Sequence, residues 1–225
     1  MTVTTLPPSS TAVPALSPAA RRAIAGVAVL GPLCMAGWAI ATPIALDSTI
    51  PQAAASLAAQ PGPAAISLLF VFLAGLFGAA GSLVVAAVVR RGAPRFGAVA
   101  GVVAFIGYCA ATYPGPVAAI AASSAADMSS DQVLQLVAAV DAQPLGVLSQ
   151  ILFIGVPAGI LLLGIAAVLA ARRGRLPVWV AVLLAASTPA IILGGFLSMT
   201  TLVLGWVLTA VAYGAAGWVY ATSDR

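Results

Sequence analysis

The sequence predicts an all-α polytopic membrane protein: six transmembrane helices, both termini cytoplasmic, and a short amphipathic helix in the outer loop between helices 3 and 4. Three observations carry that prediction. First, 62% of the 225 residues are hydrophobic, 6% are charged, and the mean hydropathy is +1.14. Soluble domains are about half apolar and about a quarter charged, so this composition calls for lipid around the side chains. Second, the charges are gathered in short clusters between uncharged apolar runs at Ala23–Leu46, Ala64–Val89, Phe96–Ala119, Val147–Ala171, Val178–Leu197 and Thr201–Tyr220. Each run is near the ~20 residues that cross ~30 Å of hydrocarbon. Third, all nine basic residues are arginines, at 21, 22, 90, 91, 95, 172, 173, 175 and 225, and six spans put every one on the same side. Positive loops stay in the cytoplasm, so that side is expected to be cytoplasmic, with four of the five aspartates outside.

Two arginine turns organise the chain, Arg90-Arg91-Gly92-Ala93-Pro94-Arg95-Phe96 and Arg172-Arg173-Gly174-Arg175-Leu176-Pro177-Val178-Trp179. A helix end leaves carbonyls unpaired, and a glycine in the left-handed conformation with nearby cations is a favourable stop, the role expected of Gly92 and Gly174. Proline has no amide hydrogen and suits a helix's first turn, where Pro94 and Pro177 are expected. Phe96 and Trp179 then fall at headgroup depth, Trp179 as a membrane anchor.

Along the chain, residues 1–20 read as a disordered cytoplasmic tail, since Thr, Ser, Pro and Ala recur there without an apolar period. Arg21-Arg22 and the apolar run after it resemble a signal peptide with Ala39-Ile40-Ala41 as its end, but the run continues to Leu46, which favours a retained span. Gly31-Pro32 is expected to kink that span. In the outer loop Asp47–Pro63, the stretch Ala53–Ala59 is expected to form one or two helical turns. Small residues Gly75, Gly78, Ala79, Gly81 and Ser82 mark a face of the second span that packs inside the bundle, and Gly97/Gly101 and Gly155/Gly159 repeat the pattern.

The third span ends through Tyr108, Cys109, Thr112 and Tyr113 at Pro114-Gly115-Pro116, where a helix break opens either a polar vestibule or a plain cap with Tyr113 in the aromatic belt. Beyond it, Ser129 and Gln132 have capping-box spacing, and Val133, Leu136, Val137 and Val140 follow at helical spacing. That helix, bearing Asp131 and Asp141, is expected to lid the outer end or to meet a partner. The fourth span holds Ser149, Gln150 and Pro157, and the fifth Ser187-Thr188-Pro189, whose hydroxyls are expected to serve carbonyls freed by proline. Only Ser198-Met199-Thr200 joins the fifth and sixth spans. Trp206 is expected in the outer aromatic belt, and Trp218 and Tyr220 in the inner one.

The membrane domain 21–222 divides into three hairpins, 21–89, 90–171 and 172–222, each opening with Arg-Arg and followed by a cytoplasmic 223–225. The first two share an outer segment that ends Ala-Gln-Pro, at Ala59-Gln60-Pro61 and Ala142-Gln143-Pro144. The segment from Phe153-Ile154-Gly155 through Gly164 to Arg173-Gly174-Arg175-Leu176-Pro177-Val178-Trp179 and Gly194-Gly195 resembles the C-terminal half of a family of uncharacterised bacterial six-helix membrane proteins. The resemblance implies that fold and a multi-pass place in the bacterial plasma membrane, and no activity.

The chemistry is sparse. The chain has no His, Lys or Glu, two cysteines without a C-x-x-C, and no charge inside a span. No catalytic residue, cofactor or metal site is therefore expected. A redox role for Cys34 and Cys109, and a weak Ca²⁺ site at Asp127, Asp131 and Asp141, are the sharper alternatives to small apolar thiols and solvated carboxylates. The basic balance reflects loop arginines and not a nucleic-acid surface. The expected function is a non-enzymatic scaffold, anchor or regulatory partner in the lipid bilayer, engaging another membrane protein or itself. The alternative is binding or transport of a small neutral or lipophilic molecule through an outward-facing cavity at Tyr108, Tyr113, Gln150 and Trp206.

Overall fold

Hydrocarbon offers no hydrogen bonds, so a chain that crosses it must satisfy its backbone internally, and this one does so with helices. The computed structural model describes residues 17–113 and 128–222, and among these there are nine helices and no strand. They are α1 (Pro18–Ala41), α2 (Ile50–Ala59), α3 (Pro61–Val89), α4 (Pro94–Ala111), α5 (Ser130–Asp141), α6 (Pro144–Phe153), α7 (Gly155–Arg172), α8 (Val178–Leu197) and α9 (Met199–Thr222). Six spans are long and apolar enough to cross a membrane: α1, α3, α4, α6 with α7, α8, and α9. Residues 1–16 of the tail expected over 1–20, the Pro114-Gly115-Pro116 break, Asp127 and the terminal 223–225 lie outside the described residues, while residues 18–20 are not a disordered tail but the first turn of α1.

The spans form a closed ring in which each packs on the next in sequence and α9 returns to α1. Apolar side chains gain little by leaving lipid for one another, so close backbone approach must hold such a ring. Each of its six interfaces contains a glycine whose added Cβ would strike the facing helix. Gly31 meets Gly78 between α1 and α3, Gly75 meets Tyr108 and Thr112 on α4, and Gly159 meets Ala104 between α7 and α4. Gly164 then meets Leu184 and Ala185 on α8, Gly205 meets Ala190 across α8 and α9, and Gly217 meets Ala25 to close the ring. The small-residue face of the second span is buried as expected. Large side chains fill the centre, with Tyr108, Ile160 and Trp206 in one cluster and Tyr213, Leu163 and Leu184 in the next.

Helix ends follow local chemistry. Ser17 caps α1 by accepting from the Ala20 amide at 3.2 Å, and the helix runs through Pro32 to Ala41. It stops five residues short of the expected Leu46, because Pro43 disfavours helix at the residue before it. The fourth span departs from the single run expected over Val147–Ala171 and is interrupted at Ile154 into α6 and α7. Pro157 explains the break, because it has no amide to donate to the Phe153 carbonyl.

At one end lie the starts of α1, α4 and α8 and the finishes of α3 and α7, and with them Arg21, Arg22, Arg90, Arg91, Arg95, Arg172, Arg173 and Arg175. The described aspartates, Asp47, Asp131 and Asp141, belong to the opposite end. Gly174 has the expected left-handed conformation, φ 65°, but Gly92 does not. Gly92 is instead needed for space, since a Cβ there would lie 2.5 Å from the Ala170 Cα on α7. Arg173 completes the junction by donating from Nη1 to the Gly92 carbonyl, so the two arginine turns are docked on each other.

The opposite end is capped by α2 and α5. In α5, the Ser129 amide donates to Gln132 Oε1 at 2.9 Å and Ser129 Oγ accepts from the Gln132 amide at 3.4 Å. Its apolar stripe buries Val133 and Val137 against Ala54 and Leu57 of α2 and Ala64 of α3. Helix α2, longer than the one or two turns expected, has a matching start: the Thr49 amide donates to Gln52 Oε1 at 2.9 Å. In both units a capped helix, Ala-Gln-Pro and a membrane span follow in order, with Pro61 or Pro144 opening the span.

Candidate functional site

The glycines of α4 and α7 fix where space can open. Gly107 faces Gly155 and Gly159 faces Ala104, so the two backbones run in contact up to the break at Ile154. Above the break α6 has a single glycine, Gly146, which packs on Val140 and Asp141 instead. Helix α6 packs on α4 but not on α1 or α3, and a cavity of about 320 Å³ opens between these four helices.

Its lining is almost wholly apolar. Met35 and Trp38 come from α1, Leu68 and Val71 from α3, Ala110 and Ala111 from α4, and Phe153 from α6. Tyr113, Ser149 and Gln150 supply the polar rim, and among the described residues no charged one lines it. Ser149 donates to the Gly146 carbonyl at 2.8 Å, the usual way a helix absorbs a hydroxyl. Gln150 Nε2 donates to Asp141 Oδ1 at 2.8 Å, which pins the end of α5 to the rim and leaves the Gln150 carbonyl free to accept. A second hollow of about 460 Å³ lies on the other side of Tyr113 and Ser149, walled by Phe105, Cys109 and Leu148. Phe105 and Leu148 are exposed, so this second hollow is a groove on the lipid-facing side of the bundle.

Two of the four candidate residues, Tyr113 and Gln150, line the cavity together; Tyr108 and Trp206 do not. Tyr108 is 1% exposed and Trp206 4%, both packed in the core beside Met35. The outer-belt position expected for Trp206 is thereby corrected: it turns inward because Gly205 lets α9 close on Ala190 and Ile191 of α8. Reasoning from sequence overlooked Met35, Trp38 and Tyr213. The spans are apolar all round, so no polar face marks which side of α1 or α9 looks inward. Tyr213 on α9 is fully buried, like Tyr108 on α4. Their hydroxyls, Thr188 Oγ1 and Trp206 Nε1 are sealed from solvent and close no hydrogen bond among the described residues.

The cysteines are free. Cys34 is half-buried beside the core of α1, and Cys109 is exposed in the lipid-facing groove. The described lining offers apolar surface, a phenol, a hydroxyl and an amide carbonyl, a set of groups suited to binding a neutral molecule. No family model matches the chain, and neither the curated proteins nor the solved structures include one similar to it, so the fold and the cavity rest on its own residues.

Proposed function

We propose that this six-span membrane protein binds a small neutral or lipophilic molecule in the cavity between α1, α3, α4 and α6. The cavity carries the reading: about 320 Å³ of apolar space with Tyr113, Ser149 and Gln150 at its rim and no charge among the described residues that line it. Small-molecule sites are commonly ~300–1,000 Å³, apolar, with a few polar groups that set orientation. An ion here would lose its hydration without a partner, whereas a neutral molecule gains apolar contact and one or two hydrogen bonds. The clustering of arginines at one end supports an orientation with that end and both termini in the cytoplasm, in a bacterial plasma membrane. The cavity then faces outward. A scaffold or regulatory partner is the second reading; the α2–α5 cap favours it, since Leu134 stays 41% exposed there outside the spans.

The test is binding of 1-aminoanthracene, a neutral fluorescent probe, to the purified chain in detergent. Saturable binding is expected, and Ser149→Phe, which fills the rim, should weaken it by at least about tenfold. Fluorescence no greater than that of protein-free micelles, or equal binding by Ser149→Phe, would contradict the proposal.

A further inference from the structure

At the arginine end the structure gathers cations that nothing in the cavity explains. The turn after α3 contributes Arg90, Arg91 and Arg95, and the turn after α7 contributes Arg172, Arg173 and Arg175. All six are exposed. The Gly92–Ala170 contact and the Arg173 bond to the Gly92 carbonyl lock these turns together. No described aspartate lies at that end of the bundle. Positive loops alone would set the orientation of the chain, and separate loops would do that equally well. Docking them costs like-charge repulsion, which an anion between them relieves.

The depth of the site identifies the source of that anion. Trp179 opens α8 a few residues beyond Arg175, and Trp218 stands in the last turns of α9, with ring centroids 6.3 Å apart. They are 50% and 57% exposed, an indole pair on the bundle's outer surface at the arginine end. Indoles in that setting mark the headgroup layer. The arginine turns therefore lie at the level of lipid phosphates, and the planar guanidinium fork suits a phosphate bidentately.

We propose that the docked arginine turns form a binding site for the phosphate of an anionic phospholipid, held at the bundle surface between the ends of α3 and α7. Arg90, Arg91, Arg172 and Arg175 hold the headgroup. Arg173 positions the second turn through its bond to Gly92. The site is separate from the cavity, at the opposite end of the bundle.

The experiment uses the full chain in zwitterionic phosphatidylcholine nanodiscs, with phosphatidylglycerol titrated in and retained lipid counted by native mass spectrometry after release into detergent. The wild type should retain phosphatidylglycerol over phosphatidylcholine and melt at a higher temperature with it. Retention should fall by about fivefold for each guanidinium removed in Arg90→Gln and Arg172→Gln. Arg22→Gln, outside the docked turns, should leave it unchanged. Raising NaCl to 0.5 M on the wild type should also release the lipid, which needs no variant to fold. Equal retention of the two lipids by the wild type, or unchanged retention in Arg90→Gln/Arg91→Gln/Arg172→Gln/Arg175→Gln, would overturn the proposal. Displacement by glycerol 3-phosphate as effective as by the lipid would overturn the lipid source and assign a soluble phosphate ester instead.

Discussion

At the scale of single residues, the bundle depends on atoms that glycine lacks. A Cβ on Gly31 would run into the Gly78 backbone, and one on Gly78 into the Tyr108 ring. Neither a backbone nor a buried ring can yield cheaply, so Gly31→Ala and Gly78→Ala should each destabilise the protein by about 1–3 kcal/mol. Gly26 has nothing within 4 Å of its added Cβ. Gly26→Ala should thus be neutral or stabilising, because alanine loses less freedom in a helix. Thermal melting of the three variants in one detergent checks this, and a uniform response would mean that close approach is not what holds the spans. The same contrast explains the two arginine-turn glycines. Gly174 is a glycine for its φ of 65°, Gly92 for its distance from Ala170, and the sequence Arg-Arg-Gly looks alike in both.

At the scale of elements, the decisive feature is the break between α6 and α7. Pro157→Ala restores an amide able to pair with the Phe153 carbonyl, and should join the two helices into one straight span and so shift the wall that α6 gives the cavity. Slower hydrogen exchange over residues 154–158, together with weaker 1-aminoanthracene binding, is the expected result; unchanged exchange and unchanged binding would separate the proline from the cavity. Much of this level was legible in the sequence. Apolar run length and charge placement predicted six spans, and Ser129 with Gln132 predicted the start of α5. The identical spacing of Thr49 and Gln52 announced α2 as well, and was overlooked because the alanines after it show little periodicity. The cavity was legible only in part. Tyr113 and Gln150 lie near span ends, where polarity is informative, whereas Met35 and Trp38 sit in a span apolar on every side, and only packing decides which way they face.

At the scale of the whole molecule, ring closure makes the rest possible. Packing on α3 and α9 holds α1 where Met35 and Trp38 can wall the cavity, and large buried side chains on the axis leave the space off-centre. The closing contact is between α9 and α1, where a Cβ on Gly217 would lie 3.3 Å from that of Ala25. That Cβ would also lie 2.9 Å from the Ala25 carbonyl oxygen, so α9 must back away by a few tenths of an ångström, which brings the pair into the ~3.5–4.5 Å Cβ separation that a disulfide spans. With Cys34 and Cys109 replaced by alanine, Ala25→Cys/Gly217→Cys should cross-link within one chain in native membranes on mild oxidation. Failure to link, with both thiols still open to a membrane-permeant maleimide, would show that the sixth span does not return to the first.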